Sequence, residues 1–161
     1  MTTVNADQDL RKQLQALLKG GQAHATFDDA VAAFPVDRRG VVPEGLPYSA
    51  WQLLEHLRIT QRDILDFSDN ADGHYQELDW PAGYWPAEKE PPTETAWDES
   101  IAAIEADMAK FRKLVETGDL HTPFPWGSGQ NLLREVLLIA DHDAYHVGEL
   151  VLLRRLLGIW K

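Results

Sequence analysis

Apolar residues recur three and four apart in three long segments of this chain, and each segment is bounded by residues that start and stop helices. No segment alternates apolar and polar residues between hairpin turns, and no internal repeat is present, so the chain is constrained to an all-α fold. The first segment opens at Ser49-Ala50-Trp51-Gln52, where the Ser hydroxyl can take an orphan backbone N–H and the Gln can reach back. It runs to about Phe67 before Asp69–Gly73 closes it. A second spans about Thr95 to Thr117, with Thr95-Ala96-Trp97-Asp98 reading as another capping box and Gly118 as the stop. The last begins near Ser128 to Asn131 and continues through Val136, Ile139, Val147 and Val151 to Leu157, ended by Gly158.

Ahead of these, Leu10, Leu14, Leu17 and Leu18 form one stripe, Gly20-Gly21 interrupts it, and Thr26-Phe27-Asp28-Asp29 offers a restart. The expectation there is two short helices or one kinked helix. Between Gly73 and Pro92 the prolines forbid a helix, and Trp80, Tyr84 and Trp85 make the stretch too aromatic for a disordered linker. It is expected to lie over one end of the helices. The prediction is a four-helix bundle in one domain over residues 1–161, with long loops that argue against simple up-and-down wiring.

Composition narrows the chemistry. The 26 Asp and Glu residues outnumber the 15 Lys and Arg, and a net charge of −11 with no basic cluster disfavours nucleic acid and anionic membrane surfaces as partners. With no Cys, the chain has no disulfide, thiolate nucleophile or thiolate metal site, so any metal must be held by nitrogen and oxygen. The start, MTTVNADQDLRKQLQ, has acids where a signal peptide needs an apolar run, and no stretch approaches a membrane span. A cytoplasmic location is expected.

Asp141-His142-Asp143-Ala144-Tyr145-His146 sets two imidazoles at i and i+4, about 40° apart round the last helix and flanked by apolar positions. Such a pair alone is a weak signal. His56, on the inward face of the Ser49 helix with Gln52, Leu53, Thr60 and Asp63, supplies a third imidazole from another helix. Three neutral imidazoles would hold a divalent transition metal, Zn or Ni before Mg or Ca, and leave coordination positions open. The plain alternative is three core histidines with ordinary hydrogen bonds. Asp63 and Glu149 lie on the same faces and could orient an imidazole or act as a general base, or be solvated helix carboxylates. His24 could reach the metal from the N-terminal region, although an exposed loop histidine is the simpler reading. Trp80, Tyr84, Trp85 and Trp126 read chiefly as loop aromatics covering the core, with a substrate pocket as their other use. Arg154-Arg155 complement the dipole of the final helix. Leu156, Leu157, Ile159 and Trp160 form an apolar tail that either tucks in or builds a homodimer contact.

The stretches Pro47-Tyr48-Ser49-Ala50-Trp51-Gln52-Leu53-Leu54-Glu55-His56-Leu57 and Asp141-His142-Asp143-Ala144-Tyr145-His146-Val147-Gly148 resemble the two signatures of the DinB-like family. The resemblance covers roughly Asp7 to Trp160. It implies a four-helix bundle, often wired up-down-down-up, in which His56, His142 and His146 bind a metal. Relatives include transferases that use low-molecular-weight thiols and thiol-dependent isomerases, besides many members without known activity. The resemblance therefore implies a metal-dependent enzyme that joins a small thiol cofactor to a small-molecule electrophile. A metal-dependent hydrolase and a non-catalytic metal- or ligand-binding stress-response module are the rival expectations.

Overall fold

The computed structural model describes residues 2–160, and among them there are five α-helices and no strand. They are α1 (Thr2–Lys19), α2 (Phe27–Val31), α3 (Ala50–Ser68), α4 (Ala96–Thr117) and α5 (Leu132–Leu156), with single 3-10 turns at Val36–Arg38 and Ala82–Tyr84. None of the helices is long and apolar enough to cross a membrane.

The helix starts follow local chemistry. Ser49 caps α3 through the expected box: its hydroxyl accepts the Gln52 N–H and the Gln52 side chain accepts the Ser49 N–H. Thr26 and Asp29 do the same for α2. At α4 the expected box is absent. Thr95 already has helical backbone angles and caps nothing, and Thr93 Oγ1 instead accepts the Ala96 N–H at 3.1 Å. The N-terminal expectation also needs correcting, because α1 is a single unbroken helix of 18 residues and only α2 is short. Gly20 and Gly21 separate them at φ of 72° and 77°, angles that side-chain-bearing residues rarely take.

α3 lies against α4 and α5, α1 touches the same two helices, and α2 sits on α5. Two apolar clusters fill the interior. The first joins Trp51, Leu53, Leu54 and Leu57 of α3 to Trp97 and Ile104 of α4 and to Val147, Leu150 and Leu153 of α5. The second joins Ile64 and Leu65 of α3 to Phe111 and Val115 of α4, Val136 and Ile139 of α5, and Leu14 of α1. On α5 the interval between the two clusters is the stretch that carries His142, Asp143 and His146. One buried and two half-buried polar groups thus sit in a layer between two apolar cores, where packing on both sides limits their orientation.

Arg154 is more than a complement to the helix dipole. It is only 8% exposed, and its guanidinium donates to the carbonyls of Ala30, Ala32 and Ile159 while lying over the rings of Phe34 and Trp160. It ties α2 and the C-terminal tail to α5, and Leu157, Ile159 and Trp160 pack against the first core. Leu156 remains exposed.

Candidate metal centre

His56 projects from the first half of α3, and His142 and His146 project from successive turns of α5. One nitrogen from each lies within 4.8 Å of the other two. His56 Nε2 stands 3.1 Å from His146 Nε2 and 3.1 Å from His142 Nε2, so the three rings converge on one point.

The outer partners of the rings decide what lies at that point. His56 Nδ1 is 2.8 Å from the Tyr84 carbonyl oxygen, which can only accept, so Nδ1 carries the proton. His146 Nδ1 is 2.7 Å from Glu149 Oε2 and donates to that carboxylate. Burial, reinforced by the neighbouring imidazoles, lowers the His56 pKa to about 4, and burial together with His142 lowers that of His146. Both rings are therefore neutral at pH 7, and the Nε2 of each has a bare lone pair. Two lone pairs 3.1 Å apart repel unless a cation lies between them. With metal–nitrogen bonds of about 2.0–2.1 Å, nitrogens 3.1 Å apart subtend an angle of about 100° at the ion, compatible with tetrahedral and with facial octahedral coordination. The residues fit a divalent transition metal.

Around the rings the chain builds a supporting shell. Tyr48 donates its hydroxyl to Glu149 Oε1, which gives a chain from Tyr48 through Glu149 to His146. Burial and this bond raise the Tyr48 pKa, so the phenol stays protonated. Trp85 stacks on His56 with ring centroids 3.9 Å apart and planes within 4°, and on Tyr48 at 5.3 Å. Gln52 Nε2 reaches the Pro86 carbonyl at 3.4 Å and helps hold this loop to α3. Glu55, beside His56 in sequence, takes no part in the cluster. Burial works against its charge, but bonds from Arg58 and Ser100 outweigh that and lower its pKa, tying α3 to α4.

Of the two candidate carboxylates, Glu149 meets an imidazole directly. Asp63 accepts instead from the Tyr84 hydroxyl at 3.0 Å, and so reaches His56 only through the residue whose carbonyl holds it. Burial raises the Asp63 pKa against the pull of that bond, and pushes Tyr84 up to about 12. His24 is exposed, with its ring against the Ala25 carbonyl, and does not join the cluster. Trp80 is 79% exposed, while Trp126 donates to the Phe67 carbonyl and stacks on Phe124. The aromatic loop therefore contributes Tyr84 and Trp85 to the centre, and Trp80 and Trp126 lie apart from it. Tyr48 and the Tyr84 carbonyl are the partners sequence reasoning missed. Tyr48 stood inside the first signature without a named role, and a backbone carbonyl leaves no side-chain signal.

A chain that is all-helical among the described residues, with three convergent imidazoles, is one able to bind a metal ion. The family model of the DinB superfamily matches residues 8–150, and the chain belongs to that superfamily. No curated protein and no solved structure matches the chain.

Proposed function

We propose that the protein binds one divalent transition-metal ion, zinc or nickel, through His56, His142 and His146, and that it is a metal-dependent transferase joining a small thiol to an electrophilic small molecule. The observation that carries the metal assignment is the pair of Nε2 lone pairs of His56 and His146, held 3.1 Å apart by outer partners that fix both tautomers. A fourth protein ligand is absent from the group of clustered metal-binding side chains among the described residues, which favours an open site over a closed structural one.

The scaffold in this reading is a four-helix bundle of α1, α3, α4 and α5 wired up-down-down-up. In its support, the first halves of α3 and α4 share one core and their second halves the other, whereas α5 meets the two cores in reverse order. Arg11 of α1 bonds the Val115 carbonyl and Gln15 the Arg112 carbonyl, the order expected of opposed helices.

A divalent ion held by three imidazoles supplies Lewis acidity that favours the thiolate of a coordinating thiol at neutral pH. The remaining work belongs to the chain. Glu149 holds the Nδ1 proton of His146 and raises the basicity of that ring, and the Tyr84 carbonyl does the same for His56. Trp85 covers one face of His56 and keeps water from it. The His142 side chain, at 20% exposure against 9% for His146, marks the side from which a substrate can approach. Asp63 is a positioning residue, acting through the Tyr84 hydroxyl. The chain has no cysteine, so the sulfur must come from a separate molecule.

The test is a panel of low-molecular-weight thiols, including bacillithiol and mycothiol, assayed against epoxides and activated halides with wild-type, metal-free and His56→Ala protein. The expected result is thiol consumption that needs both the metal and the intact cluster. Consumption equal to the His56→Ala background, in protein that still binds metal, overturns the transferase reading in favour of a hydrolase or a binding module.

A further inference from the structure

α5 is apolar on its outer side as well as its inner one. Its solvent-facing residues form a single stripe, Leu137, Asp141, Tyr145, Gly148, Leu152 and Leu156, with Arg134 and Arg155 in the same arc of about 100° round the axis. The three leucines and Tyr145 are 45–65% exposed, and they are four of the eight large hydrophobic side chains left exposed among the described residues. Such a concentration on one helix face marks an interaction surface.

The pattern of the stripe selects its occupant. From Leu137 to Leu156 the steps are 4, 4, 3, 4 and 4 residues, a sequence that reads the same in both directions. A stripe with that symmetry is complementary to an antiparallel copy of itself across a twofold axis. Leu137 then lies beside the partner's Leu156, Asp141 beside the partner's Leu152, and Tyr145 beside the partner's Gly148, each contact occurring twice. The members of each pair stand on opposite sides of the stripe's midline, so their side chains interdigitate.

Gly148 has no explanation within one chain. An exposed glycine inside a helix costs about 1 kcal/mol relative to alanine, and nothing of the chain's other elements lies within 4 Å of the position its Cβ would take. The antiparallel register supplies the reason, because the ring of the partner's Tyr145 needs that gap. Charge agrees with it. Asp141 and Arg155 form no ion pair among the described residues, and this register sets Asp141 about 4.5 Å along the axis from the partner's Arg155 on the same flank. With two arginines and one aspartate, the stripe also escapes the repulsion that a net charge of −11 imposes on the rest of the surface.

We propose that two copies of this chain pair through α5, antiparallel across a twofold axis, with each Tyr145 seated over the partner's Gly148. His142 and His146 lie ~90° or more round the axis from the middle of the stripe, so the pairing is independent of what the imidazoles bind. The contact follows ~37 Å of helix, at the lower end of specific interfaces, and the dimer should dissociate on dilution.

Sedimentation velocity of the as-purified protein tests it, with a dimer expected at about 100 μM and monomer at high dilution. Gly148→Gln should keep or gain helicity, since glutamine is the better helix former, yet associate at least tenfold more weakly. Protein that is monomeric at about 100 μM, or a folded Gly148→Gln variant that associates like wild type, overturns the proposal. Cross-linking fixes the direction of pairing and decides alone if Gly148→Gln fails to fold, because the chain has no cysteine of its own. A mixture of Leu137→Cys and Leu156→Cys proteins should be joined by a short bismaleimide, and neither variant by itself, since like positions lie about 28 Å apart in the antiparallel pair. Cross-linking of either variant alone, or none in the mixture, overturns the pairing.

Discussion

Replacing Glu149 by Gln removes a charge at the metal centre while leaving its shape. The wild-type carboxylate accepts from His146 Nδ1 at 2.7 Å and from the Tyr48 hydroxyl. A glutamine can still accept from Nδ1 through its amide oxygen, and the Tyr48 hydroxyl can turn to accept from its amide nitrogen, so packing is preserved. What is lost is the charge-assisted part of the bond, worth about 1–2.5 kcal/mol when an ionised acceptor becomes a neutral one. The cost falls on metal binding, because the carboxylate makes His146 a better donor and holds its Nε2 lone pair toward His56. Metal affinity should therefore fall by about fivefold to seventyfold. Competition against a chromophoric chelator measures it, with helicity followed by circular dichroism. Affinity within twofold of wild type would refute the reasoning, and so would a loss as great as that of His146→Ala, since the amide should keep the tautomer that alanine abolishes.

Three further outcomes follow from the same contacts. Burial holds the His56 pKa at about 4, below its ordinary value of 6.5, so the unfolded chain takes up a proton that the folded chain refuses between those values. Stability of the metal-free protein from this group is thus fully present above pH 6.5 and lost as pH falls toward 4, by about 2–3 kcal/mol. Urea denaturation at pH 7.5 and 4.5 should show this pH-dependent loss in wild type in excess of that in His56→Gln, and equal losses would contradict it. Arg154→Met should cost about 2–3 kcal/mol, because the buried Ala30 carbonyl loses its charged donor and Phe34 and Trp160 lose the cation above them, partly offset by relief of a buried charge. A change under about 0.5 kcal/mol in denaturant midpoint analysis would show that water replaces the guanidinium at no cost. Removing the metal by chelation should lower the melting temperature, by the equivalent of about 3 kcal/mol from free metal a hundredfold above Kd, yet leave a helical protein with both apolar cores. A chain that unfolds on chelation would mark the ion as structural.

The features legible in the sequence are those governed by residues close together in it. The ends of α3 and α5 follow from Ser49, Asn131 and Gly158, which act within a turn of themselves. The convergence of His56 with His142 and His146 could be expected because each lies on the inward stripe of an amphipathic helix. Less was legible wherever a partner came from far along the chain. Tyr48 meets Glu149 across 101 positions, and Trp85 stacks on His56 because a loop folds back over α3. Arg154 sits where a helix-end cation is expected on electrostatic grounds alone, so nothing local announces its contacts with α2 and the tail. The cap of α4 was misplaced by two residues because Thr93 and Thr95 offer the same hydroxyl, and only backbone conformation tells them apart.

The central claim is that His56, His142 and His146 hold one metal ion together. Inductively coupled plasma mass spectrometry of protein reconstituted with zinc or nickel and then desalted tests it most directly. About one ion per chain is predicted for wild type, and its loss from His56→Ala and His146→Ala proteins that retain their helicity. Full metal content in either folded variant, or wild type that holds none, would contradict it.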